Sequence, residues 1–152
     1  MLRRYAVRIA EERFCQRANM MPKILIADDS RLYVHLISGW LHDRGFEIVV
    51  ASDAIQAFVM ATRHRPDAVI LDISMPGGSG IDVLKKLKRS TKTKHIPVLV
   101  VTGNAGNEMR SLVKRLGAAG LLEKPLDCAE FCAVLSGLTV EADSFPSATT
   151  AH

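Results

Sequence analysis

Four short apolar runs in this chain each stop at a polar residue, and that repetition narrows the possible fold more than any other feature. Ile24-Leu25-Ile26-Ala27 ends at Asp28-Asp29, and Ala68-Val69-Ile70-Leu71 ends at Asp72. Val98-Leu99-Val100-Val101 ends at Thr102, and Leu121-Leu122-Glu123 ends at Lys124-Pro125. Continuous apolar runs of this length, alternating with helical segments, read as parallel strands buried on both faces. In such sheets ligands bind outside the carboxyl ends of the strands. Three carboxylates, a hydroxyl and an ammonium are therefore expected on one rim.

The intervening segments fit the same plan. The pattern predicts strands over 23–28, 46–51, 67–72, 97–101 and 120–123, and helices over 30–44, 53–64, 80–90, 106–116 and 127–138. Ser30 is a good first cap and Gly45 a good stop. Ala54, Ala57, Phe58 and Ala61 share one helical face, and Pro66 breaks that helix. Met109, Leu112, Val113 and Leu116 recur at helical spacing, closed by Gly117. Trp40, Leu36 and Ile37 are expected in the core under the first helix. Five strand–helix repeats with right-handed crossovers give an α/β, doubly wound parallel sheet with helices on both faces. A chain of 152 residues fits one such domain.

Charge and cysteine usage remove several functions. The net charge is +4, but residues 1–19 hold five Arg against Glu11 and Glu12, which leaves the remainder at only +1. A nearly neutral body argues against direct nucleic-acid binding. No apolar stretch approaches the roughly 18 residues that span a bilayer. Cys15, Cys128 and Cys132 make no disulfide framework; Cys128 and Cys132, four apart, read as small packed residues. The default is an intracellular, cytoplasmic location. Residues 1–21 form a basic extension open to three readings: a helix that docks something acidic, a targeting segment, or a start placed ahead of Met20 or Met21. Residues 139–152 are small and polar and read as a disordered tail.

The rim residues have a coherent chemistry. Asp28, Asp29 and Asp72 repel one another, and a divalent cation relieves that repulsion. Mg²⁺ suits a site of one or two carboxylates completed by waters and phosphate oxygens. A carboxylate beside it can act as a nucleophile toward a phosphoryl group. Lys124 offers a compact positive charge and Thr102 a hydroxyl.

The same segments resemble a known family. Ile24 to Ser30 (ILIADDS), Leu71 to Gly80 (LDISMPGGSG), Val100 to Gly103 (VVTG) and Gly117 to Pro125 (GAAGLLEKP) are similar to the signature blocks of response regulator receiver domains of two-component signalling. The blocks fall in the right order and spacing over residues 22–138. The resemblance implies a flavodoxin-like (βα)5 fold with strand order 2-1-3-4-5. It implies Asp72 as phospho-acceptor, and Mg²⁺ bound by Asp29, Asp72 and the backbone carbonyl of Ser74, with Asp28 acting through water. Thr102 then corresponds to the switch hydroxyl, Lys124 to the invariant lysine and Pro125 to the proline after it, usually cis. Ser74 and Asn104 match the variable positions that set phosphoryl lifetime.

The resemblance implies a non-enzyme that takes its phosphoryl group from a histidine kinase or phosphotransfer protein and acts on a downstream protein. The state is monomer or dimer, pairing through the face of the fourth helix, fifth strand and fifth helix. One departure stands out: Leu121 occupies a position usually held by Tyr or Phe, so an aromatic rotamer switch is absent. Two alternatives follow. A binding module with a silent site draws on Leu121. An Asp-nucleophile phosphatase wants a second acid two residues after the nucleophile, where this chain has Ser74. Lys85, Lys86, Lys88, Arg89, Lys92 and Lys94 read as a solvated basic face. Gly77, Gly78 and Gly80 lack the Lys-Ser/Thr ending of a nucleotide loop, and the five His lack metal-ligand spacing.

Overall fold

The computed structural model describes residues 21–139; most of the basic extension and the polar tail lie outside the described residues. Five strands form one parallel sheet: β1 (Lys23–Ala27), β2 (Glu47–Ala51), β3 (Ala68–Asp72), β4 (Val98–Thr102) and β5 (Gly120–Glu123). Five helices alternate with them: α1 (Arg31–His42), α2 (Ala54–His64), α3 (Gly80–Arg89), α4 (Asn107–Arg115) and α5 (Cys128–Thr139). The strand order is β2-β1-β3-β4-β5, as the resemblance implies.

The apolar runs are continuous because both faces of the sheet are covered. Side chains alternate between faces along a strand. Leu25, Ala27, Val69, Leu71, Val98 and Val100 point to one face and pack with Ala57 and Ala61 of α2, Leu84 and Leu87 of α3, and Val113 of α4. Ile24, Ile26, Ile70, Leu99 and Val101 point to the other and pack with Ile37 and Leu41 of α1 and Phe131 and Leu135 of α5. Each fully buried Leu, Ile or Phe contributes roughly 1.5–3 kcal/mol of transfer free energy.

Local sequence sets where the helices begin. Ser30 Oγ accepts from the Tyr33 amide at 3.4 Å, Asp53 Oδ1 from Gln56 at 2.8 Å, Ser79 Oγ from Ile81 at 3.1 Å and Asp127 Oδ2 from Glu130 at 3.0 Å. Each cap satisfies an amide that the helix itself leaves unpaired.

Two details depart from the sequence expectation. Leu36 is 37% exposed, because α1 turns Ile37 and Leu41 toward the sheet and leaves Leu36 on its flank; Trp40 packs partly, its ring centroid 5.6 Å from that of Phe131. Lys88 is not part of a solvated face. Its ammonium turns inward and donates to the carbonyls of Ile96 at 2.7 Å and Lys94 at 3.3 Å, and burial lowers its pKa. The end of α2 falls at His64 as expected, capped by Arg65 in the left-handed region (φ +45°) just before Pro66. The cysteine expectation holds: Cys128 and Cys132 pack together, their sulfurs 3.9 Å apart.

Gly80 is the tightest packing constraint near the strand ends. A Cβ there meets the Asp72 carbonyl oxygen and the Ile73 Cα, both at 2.5 Å, and neither backbone atom can give way cheaply. Gly39, mid-α1, has open space around its missing Cβ. Gly80→Ala is expected to destabilise the domain by about 2 kcal/mol or more. Gly39→Ala is expected to stabilise it by roughly 0.5–1 kcal/mol. Urea unfolding of the two variants checks both signs.

Candidate functional site

Strand register brings the polar run-ends together. Ala27 pairs with Leu71, so Asp28 and Asp72 follow side by side at the ends of β1 and β3. Asp72 pairs with Val101, which sets Thr102 one residue further along β4, and Thr102 pairs with Glu123, just before Lys124. The carboxylates of Asp28, Asp29 and Asp72 each offer an oxygen, and these atoms lie within 4.8 Å of one another. Asp28 and Asp72 are buried at 3% and 5% exposure, whereas Asp29 faces solvent.

Lys124 crosses to the acids from the loop after β5. Its Nζ lies 3.0 Å from Asp28 Oδ2 and 3.7 Å from Asp72 Oδ2. The Lys124–Pro125 peptide bond is cis. Backbone amides serve the remaining carboxylate oxygens: Ser30 N–H donates to Asp28 Oδ1 at 2.9 Å and Ser74 N–H to Asp72 Oδ1 at 3.2 Å. Thr102 is buried, and its Oγ1 accepts from Asn104 N–H at 3.2 Å. Ser74 and Asn104 are both exposed at the mouth of the site.

The charges do not balance locally. Three carboxylates face one ammonium, and two of the three are out of solvent. Burial pushes the Asp72 carboxyl above the ordinary carboxylate range, and the neighbouring Asp28 carboxylate pushes the same way. The Ser74 amide and the Lys124 ammonium oppose this without overcoming it.

Two participants are not legible in the sequence reading. The Tyr33 ring lies under the Lys124 ammonium, 4.1 Å from Nζ to the ring centroid. Glu123 Oε1 accepts from Ala105 N–H at 3.3 Å and ties the loop after β4 to the end of β5. An aromatic residue three places after a helix cap is a weak signal, since the sequence alone does not say which flank of that helix fronts the rim. Leu121 packs, half-buried, in the cluster that contains Val100, Val113 and Met109.

The family model of the response regulator receiver domain matches residues 24–136. The chain belongs to this family. The receiver is 37% identical over 120 residues to response regulator PleD of Caulobacter vibrioides, a match covering 79% of this chain and 26% of PleD. It thus spans about a quarter of that relative's length. It is 31% identical over 112 residues to the polar-differentiation response regulator DivK of Brucella anthropi, covering 73% of this chain and 91% of DivK. Among solved structures, the chemotaxis protein CheY4 of Vibrio cholerae superposes with a TM-score of 0.73 at 31% identity, over 77% of the receiver and 98% of CheY4. No helix among the described residues is long and apolar enough to cross a membrane.

The Asp72 environment gives a sign for the pH dependence of stability. Its folded pKa is raised, so the ionised form is harder to hold in the fold than in the unfolded chain. The penalty is absent in acid and grows as pH rises through the folded pKa. Asp72→Asn keeps an acceptor for Ser74 N–H and leaves Lys124 paired with Asp28. In chelator-treated buffer at pH 7 the variant is expected to be more stable than wild type. The difference should vanish once Asp72 is protonated, and thermal unfolding across pH 3–8 measures it.

Proposed function

We propose that this receiver accepts a phosphoryl group on Asp72 with the help of Mg²⁺ and signals through phosphorylation-dependent contact with a protein partner. The observation that carries the reading is the convergence of the Asp28, Asp29 and Asp72 carboxylates within 4.8 Å beside a single ammonium. The set fits a hard divalent cation: oxygen donors, an uncompensated negative charge, and one exposed carboxylate at the entrance. Asp29, Asp72 and the Ser74 carbonyl would hold Mg²⁺ directly, and Asp28 through water. When bound, Mg²⁺ supplies neutralising charge for the oxygens of a transferring phosphoryl group.

The protein's own groups divide the remaining work. A carboxylate oxygen of Asp72 attacks phosphorus, and the new O–P bond forms as the bond to the leaving group breaks. The leaving group, a kinase histidine nitrogen or acetate, departs with the electron pair, and Asp72 needs to lose no proton if it is ionised. Lys124, already between Asp28 and Asp72, has only to shift toward an arriving phosphoryl oxygen. Thr102 Oγ1 accepts from Asn104 N–H at 3.2 Å and donates only a long bond, 3.4 Å, to the Asn104 carbonyl, a weak bond that its hydrogen exchanges for one to the phosphoryl group. The exposed Ser74 and Asn104 leave room for water to attack the acyl phosphate and end the signal.

The upstream partner in this reading is a histidine kinase or a phosphotransfer protein. The downstream partner is a protein that distinguishes the two forms, and pairing of two copies through α4, β5 and α5 is part of the same reading. The output is a contact, not a catalysed reaction on a free substrate, and the setting is the cytoplasm. An Asp-nucleophile phosphatase fits less well, because Ser74 stands where such an enzyme places its general acid.

Intact mass after incubation with acetyl phosphate tests the proposal. The expected result is one added phosphoryl group that requires both Mg²⁺ and Asp72, and is absent with chelator or in Asp72→Ala. No gain under any condition overturns phosphorylation and leaves a silent-site binding module.

A further inference from the structure

We infer that Tyr33 is a positioning residue for Lys124, an assignment that rests on the phosphoryl-transfer reading above. Tyr33 sits in the first turn of α1, its amide held by the Ser30 cap at 3.4 Å. The Lys124 ammonium lies 4.1 Å from the centroid of this half-buried ring. On its other sides are Asp28 Oδ2 at 3.0 Å and Asp72 Oδ2 at 3.7 Å. Residues 91 positions apart in sequence thus frame one cation between two carboxylates and an aromatic face.

A lysine has a long flexible stem and a strongly hydrated head, so the competing position for Lys124 is out in water. An aromatic face attracts a cation through its quadrupole without carrying formal charge. A further carboxylate in the same place would hold the ammonium against an arriving phosphoryl group. The ring holds it at the rim while leaving its N–H groups free to turn toward phosphoryl oxygens. It also covers the ammonium, whose side chain is only 15% exposed. An aliphatic side chain of similar bulk would give cover without the attraction, and this separates the positioning role from packing.

The initial rate of phosphoryl uptake from acetyl phosphate at saturating Mg²⁺ reads the effect. Tyr33→Phe, which keeps the ring face, is expected within twofold of wild type. Tyr33→Leu is expected to be slower by about three- to tenfold, the scale of one partly desolvated cation–π contact. In a Lys124→Ala background, Tyr33→Leu should add no further loss, since the group it positions is gone. Should that background take up no phosphoryl group, the ratio of Tyr33→Phe to Tyr33→Leu decides. Protection by Mg²⁺ against thermal unfolding should be the same in Tyr33→Leu and wild type. Equal rates for wild type and Tyr33→Leu overturn the assignment, as does an equal loss with and without Lys124. Wild type that takes up no phosphoryl group overturns both this inference and the reading it rests on, whereas uptake indifferent to Tyr33 overturns this inference alone.

Discussion

The ammonium of Lys124 is the interaction on which the rim depends. Two buried carboxylates at the ends of adjacent parallel strands are unfavourable neighbours, because burial removes the water that would screen them. Lys124 is within 4 Å of both Asp28 and Asp72. It reaches them because β5 stops at Glu123, in register with Thr102, so the next residue projects over the strand ends. The amides of Ser30 and Ser74 complete the hydrogen bonding of these carboxylates. The imbalance that remains, three acids against one base, is the charge distribution that suits a divalent cation. Burial first, and the neighbouring Asp28 carboxylate after it, raise the pKa of Asp72.

The rest of the domain keeps those few groups in place. Both faces of the sheet are covered, so β1, β3 and β4 are rigid and their ends are fixed relative to one another. Close approach at Gly80 brings the start of α3 against Asp72 and Ile73, where its amide donates to the Ile73 carbonyl at 2.9 Å. The loop that carries Ser74 is therefore anchored at both ends. On the opposite side of the rim, the Asp28 carboxylate and Ser30 hydroxyl organise the start of α1. That start in turn fixes the position of Tyr33 under Lys124. Asp28, Asp72, Thr102 and Lys124 thus each have a neighbour that orients them.

Much of this was legible in the order of residues. Strand positions followed from apolar runs that the two-faced sheet requires, and observed boundaries differ from the expected ones by a residue or two, as fraying ends generally do. The grouping of Asp28, Asp72, Thr102 and Lys124 followed from their common place at strand ends. What stayed hidden depends on side-chain direction in three dimensions. Lys88 looked like one more cation in a basic run, yet the loop from Lys94 to Ile96 presents carbonyls that draw it inward. Leu36 and Ile37 are equally apolar, and only the rotation of α1 decides which one is buried. Tyr33 meets Lys124 through a contact between distant parts of the chain, which no local pattern announces.

Leu121 changes how the rim can communicate with the rest of the molecule. Leucine has no hydroxyl to present at the surface, and here it packs with Val100, Val113 and Met109. Its response to a movement nearby is limited to repacking. The polar connections run elsewhere: Thr102 Oγ1 holds the Asn104 amide, and Glu123 holds the Ala105 amide from the neighbouring strand. These two bonds fix the short loop that leads into α4. That helix begins at Gly106 with no side-chain cap, unlike α1, α2, α3 and α5, whose first turns are held by Ser30, Asp53, Ser79 and Asp127. A displacement of the Thr102 hydroxyl therefore bears on the loop that leads into α4, the helix start that has no side-chain cap. Leu121 beneath it offers volume and no directional bond. On the proposed phosphorylation reading, coupling between the rim and the α4 face rests on the backbone of residues 103–106, with Leu121 as compliant packing.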